Sequence, residues 1–176
     1  MTLLVIDIQK GITDNRLYRF EKFLANVKEL IALARSNGQE VIFVQHDDGP
    51  GSGFSIGDED YEIFEEVAPE GREKIFTKTV NSALHPSTGL LKYLRDKDEK
   101  ALMIIGLQTN FCIDATIRTA FDNGFEVLVP EHTNSTFDNV YMNNDACYHY
   151  YNEFMWPGRF AKCISMDEAR ERLTVE

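Results

Sequence analysis

With 176 residues, 43% of them hydrophobic and 27% charged, the chain is long enough for one sizeable core and has a globular composition, which excludes a disordered or membrane-embedded polypeptide. Its 29 acidic residues against 18 basic ones leave a formal net charge of −11 that repels phosphate backbones and anionic lipid, so neither nucleic acid nor a membrane is an expected partner. A single domain over residues 1–176 is the expectation.

Residues 1–6 read as a short buried strand, and they lack the basic leader and small-residue cleavage site of a secretory signal, so a cytoplasmic location is expected. Phe20, Phe23, Leu24, Val27, Leu30, Ile31 and Ala34 then recur at helical spacing. Asn37-Gly38 supplies the left-handed residue that stops a helix, and 41–44 form a second apolar strand. Residues 47–74 are a long connection rich in glycine and acid, of a length that suggests a lid. Within it Asp58, Glu59, Asp60, Glu62, Glu65 and Glu66 alternate with Tyr61, Ile63 and Phe64, the pattern of a solvated rim. A short strand is predicted over 74–78, a helix over 87–95 opened by Pro86, and a fully buried strand over 101–105, far shorter than the roughly 20 apolar residues of a membrane helix. Ile113, Ile117, Ala120 and Phe121 share one helical face; 125–129 is a strand, 140–154 a helix, 160–164 a final strand and 167–173 a closing helix. The junction Asn123-Gly124-Phe125-Glu126-Val127 repeats the chemistry of Asn37-Gly38-Gln39-Glu40-Val41, which reads as shared helix-to-strand geometry.

Strands alternating with helices imply a parallel sheet covered on both faces, and such sheets bind ligands beyond the carboxyl ends of their strands. Asp7, His46, Lys78 and Cys112 each fall at or just past such an end, so four reactive side chains converge on one edge. A cysteine alone is weak evidence, since free cysteine usually packs as a small hydrophobe. Cys112, however, follows a strand and turn that would set it at a helix N-terminus, where unpaired N–H groups favour thiolate. A buried Asp7 needs a cation, and Lys78 is the candidate; the pair alone could merely fasten two strand ends. Adding a thiol gives the trio distinct jobs: a carboxylate to take a proton, an ammonium to hold charge, a sulfur to attack. Lys78 is expected to outweigh Asp7 and activate the thiol. The three cysteines, Cys112, Cys147 and Cys163, are an odd number at wide spacing, which argues for free thiols, with Cys147 and Cys163 as packing residues.

Asp7-Ile8-Gln9, then Lys78-Thr79-Val80-Asn81-Ser82-Ala83, then Gly106-Leu107-Gln108-Thr109-Asn110-Phe111-Cys112-Ile113 with Thr116, Arg118 and Ala120 beyond, resemble the isochorismatase-like cysteine hydrolases. The likeness continues through Gly124-Phe125-Glu126-Val127 and Ser135-Thr136-Phe137-Asp138. It implies an α/β fold of three layers, α/β/α, around a mainly parallel six-stranded sheet, Rossmann-like in kind. It also implies a catalytic triad of Asp7, Lys78 and Cys112, a cis Leu107-Gln108 bond, and an oxyanion hole made by the N–H groups of Gln108 and Cys112. The reaction implied is cleavage of a small carboxamide, carbamoyl compound or ureide through a Cys112 thioester, in a homodimer or larger homo-oligomer.

Nicotinamidases of that family carry Asp-x-His with a second histidine a few residues on, whereas here Gln45-His46-Asp47-Asp48-Gly49-Pro50-Gly51 has none, so neither a metal nor any cofactor is expected. A metal-dependent nicotinamidase-type amidase, with His46 and Asp47 as its two candidate ligands, is kept only as an alternative, and a non-catalytic α/β protein that binds a small ligand is another. The second lacks support, since no Gly-x-Gly-x-x-Gly or phosphate loop follows the first strand. Gln9, Ile12, His46, Phe54 and Phe111 are candidate walls of a pocket for a small-molecule substrate. His85, His132 and His149 read as structural, and Tyr148, Tyr150, Tyr151, Phe154 and Trp156 as core packing.

Overall fold

The computed structural model describes residues 1–174. Strands β1 (Thr2–Ile6), β2 (Glu40–His46), β3 (Lys74–Lys78), β4 (Ala101–Leu107), β5 (Glu126–Pro130) and β7 (Lys162–Ile164) lie in the order β3-β2-β1-β4-β5-β7, all in parallel. A two-residue strand, β6 (Asn134–Ser135), adds to the end of β4. The helices are α1 (Phe20–Ser36), α2 (Leu90–Asp96), α3 (Asp114–Asp122), α4 (Asn144–His149) and α5 (Met166–Thr174).

Alternation along the central strands sorts the core into two halves, because successive side chains of a strand point to opposite faces. Leu3, Val5, Met103 and Ile105 pack beneath α1 and α5 with Phe23, Val27, Leu30 and Leu173. Leu4, Ile6, Leu102 and Ile104 pack on the other face with Leu90 and Leu94 of α2, Ile117 and Ala120 of α3, and Trp156. This is the predicted three-layer, six-stranded architecture with β6 as an addition too short to leave a periodic signal.

Two predicted helices are shorter than their patterns suggest. The segment read as 87–95 is divided: Pro86–Thr88 makes a single tight turn, Gly89 takes φ 77°, and α2 starts at Leu90. The segment read as 140–154 starts only at α4, where the Asn143 side chain accepts the Ala146 N–H at 2.8 Å and caps the helix. Val140 and Tyr141 precede that cap, almost wholly exposed. After α4 the helix widens over Tyr150–Met155, and the Trp156 N–H reaches the Tyr151 carbonyl, five residues back, at 3.0 Å. Within the aromatic group Trp156 and Tyr148 are core residues, while Phe154 is exposed and Tyr150 partly so.

The long connection after β2 is tied along the segment following β1. Lys10 donates its N–H to the Glu62 carbonyl and Phe64 donates to Ile8, both at 2.9 Å, and Gln9 bridges Ile63. Tyr61 and Val67 bury themselves in two short turns, Glu59–Tyr61 and Glu65–Val67, while most of the intervening acids face solvent as expected. Among the described residues no helix is long and apolar enough to cross a membrane.

Candidate active site

The carboxyl ends of β1, β2, β3 and β4 deliver Asp7, His46, Lys78 and Cys112 to one place, as their spacing predicts. His46 and Lys78 are register partners at the ends of β2 and β3. Asp7 follows β1 with φ 52°, a left-handed conformation that aspartate tolerates better than most residues, and its N–H donates to the Val44 carbonyl at 2.9 Å. β1 and β4 meet here at Ile6 and Gly106. Gly106 has φ 128°, and a Cβ there would stand 2.0 Å from the Ile6 carbonyl oxygen, so only glycine lets the two strands close.

Beyond β4 the Leu107-Gln108 bond is cis, as expected. Residues Thr109–Ile113 then form a widened helical turn, with the Ile113 N–H donating to the Gln108 carbonyl at 3.2 Å, that runs into α3. Cys112 sits in this turn. Thr116 locks it to the segment after β3: its hydroxyl donates to the Cys112 carbonyl at 2.6 Å and accepts the Ala83 N–H at 2.9 Å. That tie holds Asn81 beside the sulfur, with the Cys112 thiol donating to Asn81 Oδ1 at 3.9 Å.

Lys78 lies at the centre, its side chain fully buried. Nζ donates to Asp7 Oδ2 at 2.7 Å, to His46 Nδ1 at 2.8 Å and to Cys112 Sγ at 3.2 Å. An ammonium has three N–H bonds and no lone pair, so all three are spent and His46 Nδ1 must be the acceptor. The imidazole proton therefore sits on Nε2, which donates to Asp48 Oδ1 at 3.0 Å. Asp7 Oδ1 is buried and has no hydrogen-bond partner among the described residues, an uncommon state for a carboxylate oxygen.

Burial raises the Asp7 carboxyl above its ordinary value, against the opposing pull of the Lys78 charge. Burial, with the neighbouring Asp7 charge second, pushes the Cys112 thiol up to about 12. The direction is opposite to the expectation that Lys78 would outweigh Asp7 at the thiol: desolvation and the Asp7 charge together exceed what one ammonium offsets.

A cavity of about 270 Å³ opens above this group, walled by Ile12, Phe54 and Phe111, with Asp7, His46, Asn81, Gln108 and Cys112 as polar lining and Asp48 at its side. Of the predicted walls only Gln9 is elsewhere. Its fully buried amide donates to the His46 and Tyr61 carbonyls at 3.0 and 2.8 Å and accepts the His46 N–H at 2.8 Å, so it fastens β2 and the long connection. Asp48 and Asn81 belong to the site and were not singled out from sequence. Asn81 stood within a quoted motif, and Asp48 lies two residues past His46, so chain proximity was the available signal.

Asp7, His46 and Cys112 could each offer one ligand atom within 4.8 Å of the others. Lys78 Nζ already donates to one atom of each residue, Asp7 Oδ2, His46 Nδ1 and Cys112 Sγ, so a metal held through those atoms would have to displace a buried ammonium, and three such ligands fit a metal poorly. Cys147 is buried and Cys163 half-buried, and all three cysteines are free thiols. His85 caps the turn at Ser87, and His149 pairs with Glu153 at 2.6 Å.

Residues 1–162 match the isochorismatase domain model. The chain is 32% identical over 138 residues to the uncharacterized isochorismatase family protein YrdC of Bacillus subtilis (strain 168), covering 77% of this chain and 73% of that protein. It is 29% identical over 150 residues to Nicotinamidase 3 of Arabidopsis thaliana, covering 77% of this chain and 73% of that protein. A crystal structure of an isochorismatase family protein superimposes with a TM-score of 0.85 at 33% identity, over 93% of this chain and 97% of that one.

Proposed function

The chain belongs to the isochorismatase family, and we propose that within it the protein is a hydrolase that cleaves the C–N bond of a small amide-like compound through a Cys112 thioester. The observation that carries this reading is the buried trio: a thiol, an unpartnered carboxylate oxygen and an ammonium within one small cavity. A pair that only fastened two strands would not leave Asp7 Oδ1 without a partner beside a sulfur that lines a cavity.

The chemistry proceeds from the raised carboxyl and thiol. A substrate carbonyl enters the cavity beside Cys112, the thiol proton passes to Asp7 Oδ1, and sulfur adds to the carbonyl carbon as the π pair moves onto oxygen. The N–H groups of Gln108 and Cys112 are the donors this reading assigns to the oxyanion. Lys78 offsets the negative charge that Asp7 and sulfur share, whichever of them holds the proton. Collapse breaks the C–N bond, and the leaving nitrogen takes the proton from Asp7. Water then attacks the thioester and gives its proton to Asp7; the C–S bond breaks, releasing the acid, and Asp7 returns the proton to sulfur.

A metal-dependent amidase of the nicotinamidase type is disfavoured because no second histidine follows His46 in the connection after β2, which leaves too few ligands there. A ligand-binding protein without turnover is separated by experiment: ammonia release over a set of small carboxamides, carbamoyl compounds and ureides, measured for wild type and Cys112→Ala in parallel. Release that disappears in Cys112→Ala is expected. Equal release from both proteins, or none from wild type across the set with tight binding retained, overturns the reading.

A further inference from the structure

The charges around the cavity set a limit on what can enter it. The deep trio is neutral in either arrangement of its proton: Asp7 carboxylate, Lys78 ammonium and Cys112 thiol, or Asp7 acid, Lys78 ammonium and Cys112 thiolate. Lys78 has its three N–H bonds committed to Asp7, His46 and Cys112, so its ammonium has no N–H left to pair with a substrate carboxylate. None of the residues that line the cavity is an arginine or lysine. His46 cannot supply a positive charge toward the ligand without losing the bond it accepts from Lys78. What the wall does add is Asp48, whose carboxylate is held in position by His46 Nε2 at 3.0 Å. The side of the cavity is therefore negative over a neutral floor.

We propose that the cavity selects neutral or cationic acyl compounds and rejects those bearing a carboxylate beside the scissile carbonyl, with Asp48 as the selecting residue. This deepens the hydrolase reading of the same site and rests on it for the word substrate, but the charge rule is a property of the cavity and can be read without turnover. An anion entering here meets the Asp48 carboxylate, and the donors that face it, the amides of Asn81 and Gln108 and the backbone N–H groups, carry no full charge to offset that repulsion, which Asp48's partial exposure moderates. A cation meets the same carboxylate favourably.

Alkylation of Cys112 provides the test, with iodoacetate as the anionic probe, iodoacetamide as the neutral one and 2-bromoethylamine as the cationic one. Each rate is followed at Cys112 by peptide mass spectrometry in the folded protein and divided by the rate for the same residue in the unfolded chain, which removes intrinsic reactivity. The expected quotient for iodoacetate is about tenfold below that for iodoacetamide, and that for 2-bromoethylamine is the highest. Asp48→Asn should bring the iodoacetate and iodoacetamide quotients together. A wild-type iodoacetate quotient equal to or above that of iodoacetamide overturns the proposal, as Lys78 would then be recruiting anions, and it leaves the hydrolase reading untouched. Ammonia release surviving Cys112→Ala would overturn the hydrolase reading instead and leave the probe ranking as it stands.

Discussion

Asp7 and Cys112 are two acids that burial pushes in the same direction, and Lys78 is the cation that keeps their shared site from being prohibitively costly. Asp7 raises the Cys112 thiol and Lys78 lowers it, so removing each should move the thiol oppositely. Asp7→Asn should bring Cys112 titration below about 12, and Lys78→Ala should carry it higher, although both variants are expected to lose turnover. Residue-resolved alkylation against pH measures this; movement in the same direction for both would show that the two charges do not act on sulfur as described. The pH profile of turnover carries a sign as well. As the proposed base, Asp7 must be ionised to accept the thiol proton, and its carboxyl is raised, so kcat/KM should climb with pH through a midpoint above that of an ordinary aspartate. A profile already flat at the ordinary carboxylate value would remove Asp7 as the base. The identities of these residues were legible in the sequence because each ends a strand or opens a turn. Their protonation was not, because desolvation depends on what covers a group, and spacing along the chain contains no measure of cover. Gln9 shows the same limit: its position beside Asp7 suggested a pocket wall, yet its amide is spent on the backbone of His46 and Tyr61. Gln9→Ala should therefore lower unfolding stability by roughly 2–3 kcal/mol, through lost bonds and bare carbonyls. Denaturant unfolding with unchanged stability would return Gln9 to the list of candidate substrate contacts.

At the scale of elements, the junction of β1 and β4 is the narrowest point of the fold. A Cβ at Gly106 would lie 2.0 Å from the Ile6 carbonyl oxygen, whereas one at Gly124, also at positive φ, would meet nothing within 4 Å. Gly106→Ala thus adds an overlap to a backbone strain, and Gly124→Ala adds strain alone. We expect the first to cost about 3 kcal/mol or more and the second about 1 kcal/mol. Denaturant unfolding of the two variants compares them, and equal losses would mean that the strands part to admit a methyl group. Most elements were legible because central strands buried on both faces read as continuous apolar runs and α1 repeats its apolar positions for its whole length. The failures have local causes. Gly89 interrupts a helical pattern that polar periodicity would continue, and Asn143 caps the free Ala146 N–H in the first turn of α4, setting its start later. Tyr150–Met155 keeps an apolar pattern while changing its hydrogen bonds, a difference that periodicity over six residues cannot resolve.

For the molecule as a whole, a net charge of −11 and a cavity whose wall carries Asp48 act in the same direction on anything approaching Cys112. The two contributions differ in range. Surface charges more than a Debye length away are screened at ordinary salt, about 10 Å at 0.1 M and 3 Å at 1 M, whereas Asp48, although itself partly exposed, lines the cavity close to any occupant. Raising salt from about 0.01 M to 1 M should therefore slow alkylation of Cys112 by 2-bromoethylamine relative to iodoacetamide, yet leave part of the cationic preference in place. The neutral probe serves as the internal control, since its rate carries no long-range charge term. In Asp48→Asn the residual preference at 1 M salt should vanish, while the salt-dependent part persists because the remaining acidic surface is unchanged. If the whole preference disappears at high salt in wild type, selection belongs to the surface field and not to the cavity. If it persists undiminished in Asp48→Asn, a group other than Asp48 sets it. The comparison thus divides one measured preference between a property of composition, readable in any sequence, and a property of one side chain that only the folded arrangement of β1, β2, β3 and β4 brings to the site.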